Sequence, residues 1–138
     1  MTPDMLLAPR PRPIVSVILA TAVAAAAFAV PASAQAPVAK GRFGPTAKYT
    51  GTGTATVRGS GSARTISTSR DFTAKGAIRL RFYLATGPSA KRRIDLGVMA
   101  KRGAQTFRIP RGVDLRRYRY AIAWCVAVDD PITQAVLR

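Results

Sequence analysis

The segment from Tyr120 to Val128 constrains this chain more than any other. Side chains of a strand alternate between its two faces. Tyr120, Ile122, Trp124, Val126 and Val128 therefore fall on one face, and Ala121, Ala123, Cys125 and Ala127 on the other. Both sets are apolar, so the segment reads as a central strand covered on both sides. Around Cys125 its face carries only alanines, which either lets a second layer approach closely or leaves a slot beside the sulfur.

The rest of the chain must supply those layers with strands, because no segment keeps a helical apolar period for more than two turns. Ile78, Leu80, Phe82 and Leu84 recur at spacing two, with Arg79, Arg81 and Tyr83 between them, the pattern of one buried and one wet face. Thr50 to Val57 and Arg64 to Ser69 read as short strands around the Gly59-Ser60-Gly61-Ser62 turn. Ile94 to Val98 and Ala104 to Ile109 are further strands, the second closed by Pro110-Arg111-Gly112, and Val113 to Tyr118 makes a turn or a single helical turn. Many short strands with frequent turns predict an all-β fold, an antiparallel β-sandwich or a barrel-like sheet.

Ahead of this domain the chain carries an export signal. Arg10 and Arg12 give a basic start, Ile14 to Val30 is an uninterrupted apolar run, and Ala32-Ser33-Ala34 supplies the small residues of a cleavage site. Residues 1–34 read as a cleavable signal peptide, 35–40 as a linker and 41–138 as one domain. An uncleaved anchor is the alternative, but the run falls short of the roughly 20 apolar residues that span a bilayer. Pro11 separates the two arginines and no cysteine stands near the cleavage site, so neither a twin-arginine signal nor a lipid attachment is expected. The expected location is extracytoplasmic: periplasm, cell surface or secreted.

Charge bounds the function next. There are 22 Lys and Arg against 6 acidic residues, all Asp, and no His, for a net charge of +16. Such a balance draws a protein to polyanions. Export makes nucleic acid the least suited of these, which leaves anionic lipid and acidic envelope polymer. Arg92, Arg93, Lys101, Arg102, Arg116, Arg117 and Arg119 are the candidate polyanion contacts. With no His, no Glu and no serine in a nucleophile setting, acid–base or nucleophilic catalysis has no constellation to use. Asp95 and Asp114 read as turn-tying carboxylates that accept backbone hydrogen bonds.

Cys125 is the lone cysteine, so an internal disulfide is impossible. It is either a buried thiol acting as a small hydrophobe, or a redox group that passes electrons, exchanges disulfides or holds a prosthetic group. After signal cleavage only Cys125 and Met99 remain as soft ligands, which excludes a structural zinc site and leaves the thiolate alone to hold haem iron. Met99 and Trp124 both sit where strands want large apolar side chains.

From Gly41 to Leu137 the chain resembles the DM-thirteen domain, a family of extracellular and periplasmic modules akin to DOMON β-sandwiches. The resemblance is carried by Gly41, Phe43, Gly51 to Ala55, Asp71-Phe72 and Tyr83-Leu84. It continues through Asp95-Leu96-Gly97, Gly103-Ala104-Gln105, Phe107, Ile109-Pro110, Val113-Asp114-Leu115, Tyr118, Trp124-Cys125, Ala135 and Leu137. The chain departs where the family has Gly-Pro-Asp and this sequence has Ala77-Ile78-Arg79, and where Val128 and Ile132 replace phenylalanines. The resemblance implies a DOMON-like all-β fold and an electron-transfer module in which Cys125, with Trp124 beside it, works as a bare thiol or as ligand to a group such as haem. Its partner would be a redox protein outside the cytoplasm. The alternative is a non-catalytic basic module that adheres to an anionic polymer or membrane of the envelope.

Overall fold

The computed structural model describes residues 36–76 and 78–138. Residues 1–34, read from the sequence as a signal peptide, and Gln35 and Ala77 lie outside the described residues. Ten strands account for the fold: β1 (Pro37–Pro45), β2 (Gly51–Thr52), β3 (Thr54–Arg58), β4 (Thr65–Thr68), β5 (Thr73–Ala74), β6 (Leu80–Ala85), β7 (Arg93–Met99), β8 (Thr106–Arg108), β9 (Tyr120–Cys125) and β10 (Asp130–Val136). Among the described residues there is no α-helix, only one 3-10 turn at Gly61–Ala63. Eight strands form one antiparallel sheet in the order β7-β6-β9-β10-β1-β3-β4-β8, which curls into a nearly closed barrel, and β2 and β5 pair separately. Of the two all-β architectures the sequence allows, the chain adopts the barrel-like sheet.

The double-sided apolar strand is where its alternation puts it. In β9, Ala121, Ala123 and Cys125 point into the barrel and join a core with Phe43, Phe72, Phe82 and Met99. Ile122 and Trp124 face outward into a second cluster with Tyr83, Ala85 and Ala90. The strand ends three residues earlier than its alternation suggests. Val126 and Val128 are exposed in the turn to β10, which Asp129 closes with a left-handed φ of 51°.

β6 departs from its pattern at both ends of the argument. Arg79, at φ 55°, turns the chain, so Ile78 leaves the buried face and is 62% exposed. Tyr83, expected on a wet face, is buried against Trp124 with ring centroids 5.9 Å apart. Thr50 to Val57 is not one strand but two, because Gly53 takes φ +106° and a Cβ there would lie 2.7 Å from Phe72 Cα.

β1 and β10 have weak strand signals and are found only in the structure. β1 begins at Pro37, inside the stretch read as linker, and pairs with β3 over Pro37–Arg42 before passing to β10 over Phe43–Pro45. That transfer joins the two halves of the barrel. It needs Gly41, where a Cβ would stand 2.5 Å from the Val136 carbonyl oxygen.

The two edge strands, β7 and β8, follow each other in sequence but share no ladder. Their seam is clasped at one end by Gln105. Its Oε1 accepts from Ala100 N at 2.7 Å and its Nε2 donates to Ala100 O at 3.0 Å, reproducing the exchange of a strand pair. Thr68 Oγ1 then accepts from Gln105 N and donates to Gly103 O, which ties the same loop to β4.

Two substitutions test these joints in denaturant unfolding. Gly41→Ala is expected to cost about 1–3 kcal/mol, as overpacking against fixed backbone does. Gln105→Ala is expected to cost about 1–2 kcal/mol through the two lost hydrogen bonds. A midpoint unchanged by both would mean that neither the strand transfer nor the clasp holds the barrel.

Candidate functional site

Two places on the barrel carry the chemistry the sequence offers: the thiol of Cys125 and the cations gathered at the strand ends. Cys125 is the last residue of β9, pairs across the sheets with Leu80 and Asp130, and is 2% exposed. Its Sγ donates to the Ile78 carbonyl at 2.8 Å. That contact and its burial turn the sulfur toward the protein interior. The alanine face beside it shares one core cluster with Phe43, Phe72 and Phe82, whose tilted rings stand 4.9 Å (Phe43–Phe72) and 6.3 Å (Phe43–Phe82) apart. A haem needs a reachable sulfur and a slot for the macrocycle. A sulfur 2% exposed in the core cluster does not fit that group. Among the described residues no three His, Cys, Asp or Glu side chains gather as a metal site would require.

Trp124 lies on the opposite face of β9 from Cys125. It is nearly buried, its Nε1 donates to Asp129 Oδ1 at 3.3 Å, and the Arg93 guanidinium carbon stands 5.1 Å from its ring and 4.6 Å from that of Tyr83. A cation over two aromatic faces is held by their quadrupoles. This fixes Arg93 flat on the barrel wall. Met99 is buried in the core cluster.

All seven candidate cations are exposed, and the strand register sorts them into two groups. Ala85 pairs with both Arg93 and Tyr120, and Leu137 N donates to Arg119 O. Arg92, Arg93 and Arg119 therefore share one end of the barrel, together with Arg116 and Arg117 on the loop that follows β8. Lys101 and Arg102 follow the far end of β7 and pair instead with the β5 region, at the opposite end.

The first end holds more cations than the linear clusters suggest. Lys40 and Arg138 exchange backbone hydrogen bonds there, and the ends of β3 and β8 bring Arg58 and Arg108 through their common partner Thr65. Lys91 and Arg111 lie in the loops at the same end. Against them stands a single side-chain carboxylate among the described residues, Asp114, whose Oδ1 accepts from Arg116 N at 2.9 Å. Asp95 is midway along β7, accepts from Gly97 N at 2.8 Å and pairs with Arg81 at 2.7 Å, a contact that raises the Arg81 pKa by hydrogen bond first and charge second. Both aspartates accept a backbone N–H two residues on, Asp114 in a turn as expected but Asp95 within β7, where the pairing with β6 shifts register. Asp71, Asp129 and Asp130 are at the far end, where Asp130 pairs with Lys48 at 2.9 Å and likewise raises the Lys48 pKa.

The loop Ile109–Arg119 crosses the basic end as a plug. Ile109 and Val113 are buried in the core, Arg64 donates to the Val113 carbonyl at 2.6 Å, and Ile109 N donates to Arg64 O at 2.9 Å. Between plug, β1 and the chain after β10 lies an open cleft of about 650 Å³. Val38, Val113, Leu115 and Leu137 make its apolar floor, and Arg64, Arg116, Arg119 and Arg138, with the carboxylate of Asp114, its charged rim. Arg64 and Arg138 were not singled out from sequence, because they stand outside the basic runs and only the register brings them to the others.

Comparison with protein families, with curated proteins and with solved structures finds no match to this chain. Among the described residues no helix is long and apolar enough to cross a membrane.

The burial of Cys125 has a direct readout. In the folded protein its reaction with a soluble thiol reagent should be at least about a hundredfold slower than in denaturant, since only opening of the barrel exposes it. Cys125→Ala should cost about 1–2 kcal/mol through lost packing and an unmet Ile78 carbonyl. Equal rates folded and unfolded would place the sulfur within reach of solvent partners.

Proposed function

We propose that this domain is an extracytoplasmic binding module that holds an anionic polymer or surface of the cell envelope with one end of its barrel. The observation that carries the reading is the partition of charge, with arginines and lysines crowded at the plugged end and Asp114 the one side-chain carboxylate among them. A surface of one sign raises the local concentration of the opposite sign and steers it inward. Arg is well suited to this work because its planar fork binds phosphate and carboxylate bidentately. The strand register brings the strand-end members of this group together, and the loop after β8 adds Arg116 and Arg117.

The redox reading, in which Cys125 trades electrons or disulfides with a partner outside the cytoplasm, has less support. It needs a reachable sulfur, and the thiol is shielded and already bonded.

The two ends of the barrel make an internal control. Retention of the mature protein on immobilised polyphosphate should fall steeply with salt, since exposed charges are screened over about 8 Å at physiological ionic strength. Neutralising Arg116, Arg117 and Arg119 to Gln should weaken binding about tenfold or more. The same change at Lys101 and Arg102 should alter it by less than about threefold, because those two residues stand at the other end and each rim contact contributes little. Equal losses per charge removed from the two variants would show that net charge, not the plugged end, does the binding.

A further inference from the structure

The cleft in the plugged end differs from a plain cationic surface in one respect: its floor is apolar. Val38 is 59% exposed although it is a large apolar side chain on a strand, and Leu115 and Leu137 flank it. A purely polyanionic ligand gains nothing from such a floor. Apolar ground inside a ring of guanidinium groups suits a molecule with both characters, an anionic head and a hydrocarbon tail.

A second observation concerns the rim. Arg64 gives one guanidinium N–H to the Val113 carbonyl, while its Nε is shielded from solvent and has no acceptor. The bond to the Val113 carbonyl holds the guanidinium at the cleft wall. Arg116, Arg119 and Arg138 add donors and charge around the same opening. The cleft volume of about 650 Å³ is within the range of sites that take small organic ligands.

We infer that this cleft binds a single-tailed anionic amphiphile, its phosphate or carboxylate head held by Arg64, Arg116 and Arg119 and its alkyl tail laid on Val38, Leu115 and Leu137. This rests on the reading of the plugged end as an anion-binding surface and names the ligand class for its centre. The head and tail could belong to a free amphiphile or to a lipid presented by a membrane. The chemistry recognised is the same.

The experiment is a titration of the mature protein with inorganic phosphate and then ethyl, butyl, hexyl and octyl phosphate, all below their micelle concentrations, followed by backbone-amide NMR shifts. Each methylene laid on an apolar floor tightens binding by roughly fourfold, about 0.8 kcal/mol. Affinity should therefore climb with tail length, reach roughly fiftyfold over inorganic phosphate once about three methylenes are covered, and then level off as the floor is used up. The shifts should centre on Val38 and on Val113 to Arg119, and Val38→Asn, at an exposed position, should flatten the climb. Vesicles containing a phosphate-headed lipid, set against neutral vesicles, then separate a membrane source from a free one.

Tail-independent affinity, or tail-dependent shifts elsewhere on the barrel, would overturn the inference. Retention on polyphosphate keeps the two ideas apart. A protein that is retained there but ignores tail length refutes the amphiphile and leaves the anion-binding end standing, whereas one that is not retained refutes both.

Discussion

The barrel depends on how its interior is filled. A closed or nearly closed sheet has room inside for side chains of limited total volume, and a void or an excess there is felt throughout. Here a chain of rings crosses the interior: Phe72 to Phe43 at 4.9 Å, Phe43 to Phe82 at 6.3 Å, and Phe82 to Phe107 at 5.0 Å. They come from the loop before β5, from β1, from β6 and from β8, so each half of the sheet reaches into the other. The small residues Ala121, Ala123 and Cys125 of β9, with Ala135 of β10 and Ala55 of β3, give those rings their space. The alanine face therefore answers the question raised by its sequence by close approach of other parts of the core, and the cysteine belongs to that small-residue set.

Much of this was legible from residues alone. The fully apolar alternation of β9 forces a central position, and the spacing of Leu80, Phe82 and Leu84 fixes the inward face of β6, because a slip of one residue would reverse every side chain. What escaped sequence reasoning has a physical cause in each case. Pro37, Gly41, Gly44 and Pro45 dilute the pattern of β1, whose strand character comes from the two ladders on either side of it rather than from its own propensity. In β10 a register shift between Pro131 and Thr133 breaks the alternation, and a buried Thr133 that donates to the Gly44 carbonyl at 2.8 Å looks like a wet-face residue when read alone. Tyr83 was misplaced because its own face looked polar, and only the fold reveals Trp124 and Arg93 beside it.

The candidate site shows the same division. Basic runs at Arg92-Arg93 and Arg116-Arg117 are visible in the sequence, but a run does not say which end of a barrel it decorates. Antiparallel pairing decides that. Strand ends far apart in sequence, such as Lys40, Arg64 and Arg138, meet at one end, while Lys101 and Arg102, only one strand length from Arg93, are carried to the other. Cysteine chemistry is the reverse case. The sequence made Cys125 conspicuous by leaving it alone, and its place in the sheet turns it toward the core.

Crowding like charges at one end has a consequence for the free protein. Each added cation raises the potential felt by the others, and the compact state bears that repulsion more than an extended chain does. The plug loop is the segment most exposed to it, since Arg111, Arg116, Arg117 and Arg119 all lie on it or at its edge. Its restraints are local: Val113 in the core, the Arg64 donation to the Val113 carbonyl, and the turn tied by Asp114. An anion seated among those arginines relieves the repulsion and, by binding the folded form alone, adds stability in proportion to the logarithm of its concentration over its dissociation constant. On the proposed reading, anion binding at the plugged end and the integrity of the plug are one linked equilibrium. The single side-chain carboxylate at that end among the described residues, Asp114, accepts from Arg116 N and so holds the turn.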